Sequence, residues 1–281
     1  MTPLLGYTRA VFVAGFCLTI GTGIGLYALP GRTEDYWAWT IESPLTAAFF
    51  GAGYLSAACA LGLAARAPSW ERARIVAVAA FTLTSLALLA TVLELGTFAF
   101  GEGGLTEAVA WIWLAVYVAL PPAVLVAFLR QERRAVGVSE EPAALPVSRL
   151  ACTAIGAVLA LLGLGLFVDW GWLVDRWPWP LPPLPARMVG AWLCTYGAVL
   201  LWFGMVERSW ARVRLGVASA VVALALDIGA AARFSSDLDD DASTIIYLIA
   251  VSGLLVVLLG MWCLEEWRLT SPRARGATVS G

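Results

Sequence analysis

Apolar residues along this chain fall into eight runs, at 10–29, 44–65, 75–95, 106–129, 149–168, 187–206, 213–232 and 244–264, with short polar segments between them. Each run approaches the roughly 20 residues that an α-helix needs to cross a ~30 Å hydrocarbon core. The pattern predicts an all-α fold, a polytopic membrane protein of eight transmembrane helices. No intervening segment is long and polar enough to form a separate soluble domain. The first run lacks an A-x-A cleavage site and further spans follow it, so it is read as a retained helix rather than a signal peptide. Pro121-Pro122 inside the fourth run predicts a kink or break there.

The polar segments carry a sign. With the N-terminus inside, the cytoplasmic segments hold Arg9, Arg66, Arg72, Arg74, Arg130, Arg133, Arg134, Arg149, Arg208, Arg212, Arg214, Arg268, Arg273 and Arg275. That leaves Arg32, Arg176, Arg187 and Arg233 outside. Acids concentrate on the outer side, from Glu34, Asp35 and Glu42 to Asp237, Asp239, Asp240 and Asp241. Basic side chains stay on the side from which helices are inserted, so both termini are expected in the cytoplasm.

Sliding the chain on itself by 140 residues brings several patterns together. Gly23-Ile24-Gly25-Leu26-Tyr27 meets Gly163-Leu164-Gly165-Leu166-Phe167. Asp35-Tyr36-Trp37-Ala38-Trp39 meets Asp175-Arg176-Trp177-Pro178-Trp179. Ser69-Trp70-Glu71-Arg72-Ala73-Arg74 meets Ser209-Trp210-Ala211-Arg212-Val213-Arg214. Tryptophan is rare, so coincident tryptophans at one offset point to two tandem four-helix repeats, 1–140 and 141–270, followed by a disordered tail, 271–281. Four spans is an even number, so the repeats share one orientation, related by a pseudo-two-fold axis along the membrane normal. A cleft between them is the natural place for a site. Gly21 and Gly25 form a G-x-x-x-G helix contact. In S-W-x-R-x-R, each tryptophan is expected at headgroup level, each arginine against anionic lipid and each serine as a helix cap.

Composition narrows the chemistry. Hydrophobic residues make up 60% and charged residues 14% of the 281, with mean hydropathy +0.82, too few charges to cover a water-facing surface. Histidine is absent and all 18 basic residues are arginine. The usual ligand for haem, zinc and copper is therefore missing, as is the readiest proton shuttle. The cysteines stand singly, without C-x-x-C spacing, and behave as small hydrophobes. No G-x-S-x-G, no Walker A sequence and no G-x-G-x-x-G ahead of a strand occurs. No cofactor, no metal, no nucleic acid and no enzymatic constellation is expected.

Candidate site residues come from two features. The outer loops are crowded with tryptophan, Trp37 and Trp39 in one and Trp170, Trp172, Trp177 and Trp179 in the other, and the second carries five prolines between 178 and 185. They read either as rigid aromatic platforms beside a cleft or as lids resting on the bundle. The other feature is charge at membrane depth. Asp227 lies inside the seventh run and needs a partner, water or a proton. Arg187 is the expected partner, and Glu94 stands at the end of the third run. The ligand-binding set is thus Asp227, Arg187, Glu94, Trp37, Trp39, Trp177 and Trp179. The acidic run Asp237–Asp241 lacks calcium-loop spacing and reads as a solvated loop.

The stretch Trp37-Ala38-Trp39-Thr40-Ile41 through Pro44-Leu45-Thr46-Ala47-Ala48-Phe49-Phe50-Gly51-Ala52-Gly53-Tyr54 resembles a motif of bacterial multi-pass membrane proteins without an assigned activity. The resemblance implies a bacterial source and nothing about mechanism. The leading expectation is a bacterial cytoplasmic-membrane protein that binds or transports a small amphipathic or lipidic molecule. The alternative is a non-catalytic accessory or assembly subunit. Expected partners are membrane lipids, a hydrophobic or amphipathic ligand, and a second copy or a larger membrane complex.

Overall fold

The computed structural model describes residues 1–135 and 141–271. The expected repeat boundary at 140 and the tail beyond Ser271, with Arg273 and Arg275, lie outside the described residues.

Among the described residues, eight helices are long and apolar enough to cross a membrane. They are α1 (Gly6–Ala28), α2 (Pro44–Ala65), α3 (Trp70–Leu93), α4 (Gly104–Glu132), α5 (Pro146–Phe167), α6 (Pro183–Val206), α7 (Trp210–Arg233) and α8 (Ala242–Thr270). Most run past the apolar segments because a helix keeps satisfying its own backbone through the headgroup layer until a cap or turn ends it. Ser43 Oγ accepts from Thr46 N–H to start α2, and the Asp241 carboxylate accepts from Ser243 N–H to start α8. Pro183 and Pro185 fall in the first turn of α6, where a missing N–H costs no hydrogen bond. The proline loop ends at Pro182, which is in polyproline geometry, after turns and bends over 175–179 rather than a continuous extended strand. α4 passes through Pro121 and Pro122 as one helix, so of the kink or break expected there the break does not occur.

Helix pairing follows where side chains are smallest. α1 lies along α2, and α5 along α6. A Cβ on Gly23 would sit 2.9 Å from Leu55 N, and one on Gly163 would sit 2.7 Å from both Cys194 N and Gly190 O. Close backbone approach replaces the hydrophobic drive that lipid cannot supply. The contact glycine is Gly23, not the expected Gly21, which has nothing within 4 Å. α2 packs on α7 and α6 on α3, while α3 and α7 touch each other, so these four helices form the centre of the bundle. α8 packs chiefly on α7 and stays the least buried helix.

Polar contacts sort the helix ends. Thr2 N–H donates to Glu71 at the start of α3, and Gln131 near the end of α4 accepts from Leu5 N–H. Arg74 donates to Glu207 after α6, Arg212 of α7 does likewise, and Leu145 N–H donates to Glu265 of α8. All eight helices therefore alternate, and the two described ends of the chain meet at one arginine-rich end of the bundle.

That end differs from the anchoring layer expected. Trp70 and Trp210 are fully buried, each donating its indole N–H to a glutamate, Trp70 to Glu132 at 2.7 Å and Trp210 to Glu266 at 2.9 Å. Ser69 and Ser209 occupy cap positions without capping; Ser209 Oγ donates to Glu141 instead. Arg72, Arg74 and Arg212 interleave with Glu132, Glu141 and Glu207 in one charge network. Carboxylates brought in by distant segments compete better for a guanidinium than lipid phosphates do once the site is partly dry.

Candidate functional site

At the opposite end the tryptophan loops fold inward. Trp37, Trp39 and Trp179 are buried and Trp177 is half-buried. Trp39 packs edge-on against Trp113 with centroids 5.0 Å apart and against Phe98 at 5.1 Å; Trp179 meets Tyr247 at 5.3 Å. These rings are lids seated on the bundle, and among the loop tryptophans only Trp170 and Trp172 face outward. Burying a large ring removes more apolar area from water than an exposed platform could.

Trp179 reaches across the bundle, its indole N–H donating to Thr46 Oγ1 of α2 at 2.9 Å. The residue 140 positions on from Thr46 is Ala186, which has no acceptor to offer, and Trp39 Nε1 has no partner. Thr46→Val should leave Trp179 in the same unpaired condition at a cost of about 1–3 kcal/mol. Thermal denaturation in detergent checks it, and an unchanged midpoint would count against this bond.

The charged residues separate. Arg187 pairs with Glu94, Nε to Oε1 at 3.0 Å, and its Nη1 donates to Phe167 O. The expected Arg187–Asp227 pair is thus replaced by Arg187–Glu94. Glu94 emerges from the end of α3 beside the α6 start, whereas Asp227 lies a turn and a half down α7. Arg233 donates to Tyr27 O and Ala28 O, closing the carbonyl end of α1. Asp237 is not a free loop acid: it accepts from Ser43 Oγ–H at 2.9 Å and Leu45 N–H at 3.0 Å, tying the end of α7 to the start of α2. Tyr36 donates to Gly25 O and Leu29 O; burial, with nearby Glu34 adding to it, raises its pKa.

Two cavities each lie chiefly against one set of four helices and also take lining from the other set. Both therefore reach the boundary between the sets, where a cleft is expected. The first, about 170 Å³, is lined by α1–α4 together with Trp192, Tyr196 and Gly216 of α6 and α7, and no charged residue lines it. The second, about 610 Å³, lies chiefly among α5–α8, with Phe49 of α2 also on its wall, and is lined by Trp177, Leu193, Tyr196, Asp227, Tyr247 and Leu254. Its mouth holds Trp172, Arg176, Asp241 and Ser243. The Ser243 hydroxyl and N–H hold the Asp241 carboxyl below the ordinary aspartate range. The size suits a small organic ligand.

Side-chain volume explains the difference. Ile112 and Trp113 are the ninth and tenth residues of α4 and line the first cavity; Ala250 and Val251 hold the same places in α8 and line the second. Leu83 of α3 likewise stands 140 residues before Ala223 of α7.

Asp227 is 8% exposed, and its Oδ1 has no hydrogen-bond partner. Tyr27, Tyr196 and Tyr247 lie within its electrostatic reach. Tyr196 lines both cavities, its hydroxyl 2.9 Å from Ser56 Oγ. Sequence reasoning singles out Asp227 and Trp177 but misses Tyr196 and Tyr247, which carry no motif and lie on other helices. The available signal is the loss of bulk at Ala223, Ala250 and Val251 relative to the first set.

The fold is that of an all-helical, multi-pass membrane protein. No family model, curated protein or solved structure matches the chain, so its function is read from geometry and chemistry.

Proposed function

We propose that this protein binds, and carries across its membrane, a small amphipathic or lipidic molecule held in the second cavity beside Asp227. The observation that carries the reading is a buried carboxylate oxygen without a partner, on the wall of a largely apolar space wide enough for such a molecule. Leaving a carboxylate unpaired at membrane depth is costly, so its retention argues for a task.

The architecture proposed is two tandem repeats of one orientation in a bacterial cytoplasmic membrane, with both termini in the cytoplasm. Supporting it are the repeated tryptophan patterns, the arginines gathered at one end and a reciprocal packing. α2 meets α7 while α6 meets α3, and α1 meets α2 as α5 meets α6. In this arrangement the cavity mouth opens outward. Wide and narrow cavities in otherwise matching halves suit a duplication in which one half kept the ligand space and the other filled it.

An accessory role in a larger membrane complex is favoured by one observation, the apolar and sparsely packed surface of α8 with Trp267 at its end. Filling the cavity separates the readings. Val251→Trp places the bulk of Trp113 in the second cavity. Mass spectrometry of small molecules released from purified protein should find a species enriched with the wild type. That species should fall at least about tenfold in the variant, a loss of about 1.4 kcal/mol in binding. Equal recovery from both proteins would sink the binding reading.

A further inference from the structure

We propose that the ligand of the Asp227 cavity is a hydrophobic organic cation, and that this cation and a proton take turns on the same carboxylate. The inference rests on the binding reading above and names its substrate class.

No arginine at the tryptophan-rich end forms an ion pair with Asp227 among the described residues. Arg32 pairs with Asp35 and Arg187 with Glu94. Arg176 stacks over Trp172 at 4.8 Å and donates to Trp172 O, and Arg233 is held by the carbonyls of Tyr27 and Ala28. The groups facing Asp227 from the surrounding helices are the hydroxyl-bearing rings Tyr27 of α1, Tyr196 of α6 and Tyr247 of α8. The Tyr27 hydroxyl is already donating to Leu226 O at 3.0 Å. The protein thus supplies no cation for this carboxylate, and its counter-charge arrives from outside the chain.

The rest of the cavity selects what kind of cation that is. Its wall includes the rings Trp177, Tyr196 and Tyr247, and aromatic rings attract organic cations. Hard metal ions need six or more oxygens, and among the described residues no cluster of three potential metal ligands forms. The acidic segment Asp237–Asp241 lies beside the mouth, with Asp241 lining it, and draws cations toward the opening. An anionic amphiphile would meet Asp227 at depth, where the cavity's one lining arginine, Arg176, is held away at the mouth over Trp172. The exchange needs no covalent step. The cation enters, the carboxyl O–H breaks, the proton leaves to water at the mouth, and the carboxylate pairs with the cation. Release runs the same steps backwards, so uptake of one species is coupled to loss of the other.

The test uses the full chain in lipid nanodiscs, with binding to empty discs subtracted. The probes are tetraphenylphosphonium as the cation and 1-decanol as a neutral amphiphile. Tetraphenylphosphonium affinity should rise by up to about tenfold per pH unit where proton and cation compete, and an indicator dye should report proton release on binding. Asp227→Asn, which keeps shape and removes charge, should weaken the cation at least about tenfold and flatten its pH profile, since about 1.4 kcal/mol accompanies each tenfold step. Ala223→Leu narrows the cavity without touching the carboxylate and should weaken both probes, so the proposal stays testable even if the Asp227 variant fails to fold. If both probes bind with equal affinity at every pH, and Asp227→Asn changes neither, the cation–proton exchange is overturned while the binding reading stands. If neither probe binds a cooperatively melting wild-type protein, both fall.

Discussion

Glu207→Ala is expected to lower stability by about 3 kcal/mol, the low end of what removing one partner of a buried ion pair costs. Glu207 is 5% exposed and accepts from Arg74 at 2.6 Å and from Arg212, itself 4% exposed, at 3.3 Å. It also accepts from the N–H groups of Arg208 and Ser209, which fix the turn between α6 and α7. Arg72, Arg74 and Arg212 balance Glu132, Glu141 and Glu207, three charges against three; deleting one acid leaves a net positive charge in a dry site. The loss stays near the low end because Arg74 keeps Glu132 and Arg212 keeps Glu141. Arg32→Ala is the contrast. The Arg32–Asp35 pair is largely exposed, and its loss should cost under about 1 kcal/mol. Both are read as shifts in the denaturation midpoint in detergent. Equal shifts would refute the idea that the network closes that end of the bundle.

Gly163→Val should cost about 3 kcal/mol or more, at or above the usual range for overpacking. A Cβ at Gly163 meets backbone atoms of Cys194 and Gly190 at 2.7 Å. Backbone cannot rotate aside as a side chain can, so α5 and α6 must move apart along their whole contact. Gly21→Ala, with open space at its Cβ position, should be neutral or gain up to about 1 kcal/mol from helix propensity. Gly21 belongs to the more obvious motif, yet Gly163 governs the crossing. A smaller effect at Gly163 than at Gly21 would invert this account.

Part of the site is legible in the amino-acid sequence. Asp227 stands out because a lone acid in an apolar run violates the rule that shaped the run, and Trp177 because its loop is crowded with tryptophan and proline. Arg187 is a different case, since depth along the helices assigns it to the wrong acid. Depth says nothing about which helix faces which, and Glu94 competes from a neighbouring helix end. The Trp70 and Trp210 segments look like lipid anchors because tryptophan and arginine are what interfaces use. The same residues serve equally well in a buried network once Glu132, Glu207 and Glu266 arrive from elsewhere in the chain.

By itself the sequence determined the eight membrane-length helices and the contrast between an arginine-rich and a tryptophan-rich end. Those properties follow from transfer free energies summed over about 20 consecutive residues, and such sums need no knowledge of neighbours. Only the tertiary structure decided which helices interlock, which carboxylate each arginine takes and where empty space remains. Those outcomes depend on backbone approaches of a few ångströms and on side-chain bulk compared across helices more than a hundred residues apart. The wide space beside Asp227 is such an outcome: it exists because Ala223, Ala250 and Val251 are small where a partner helix face could have been filled.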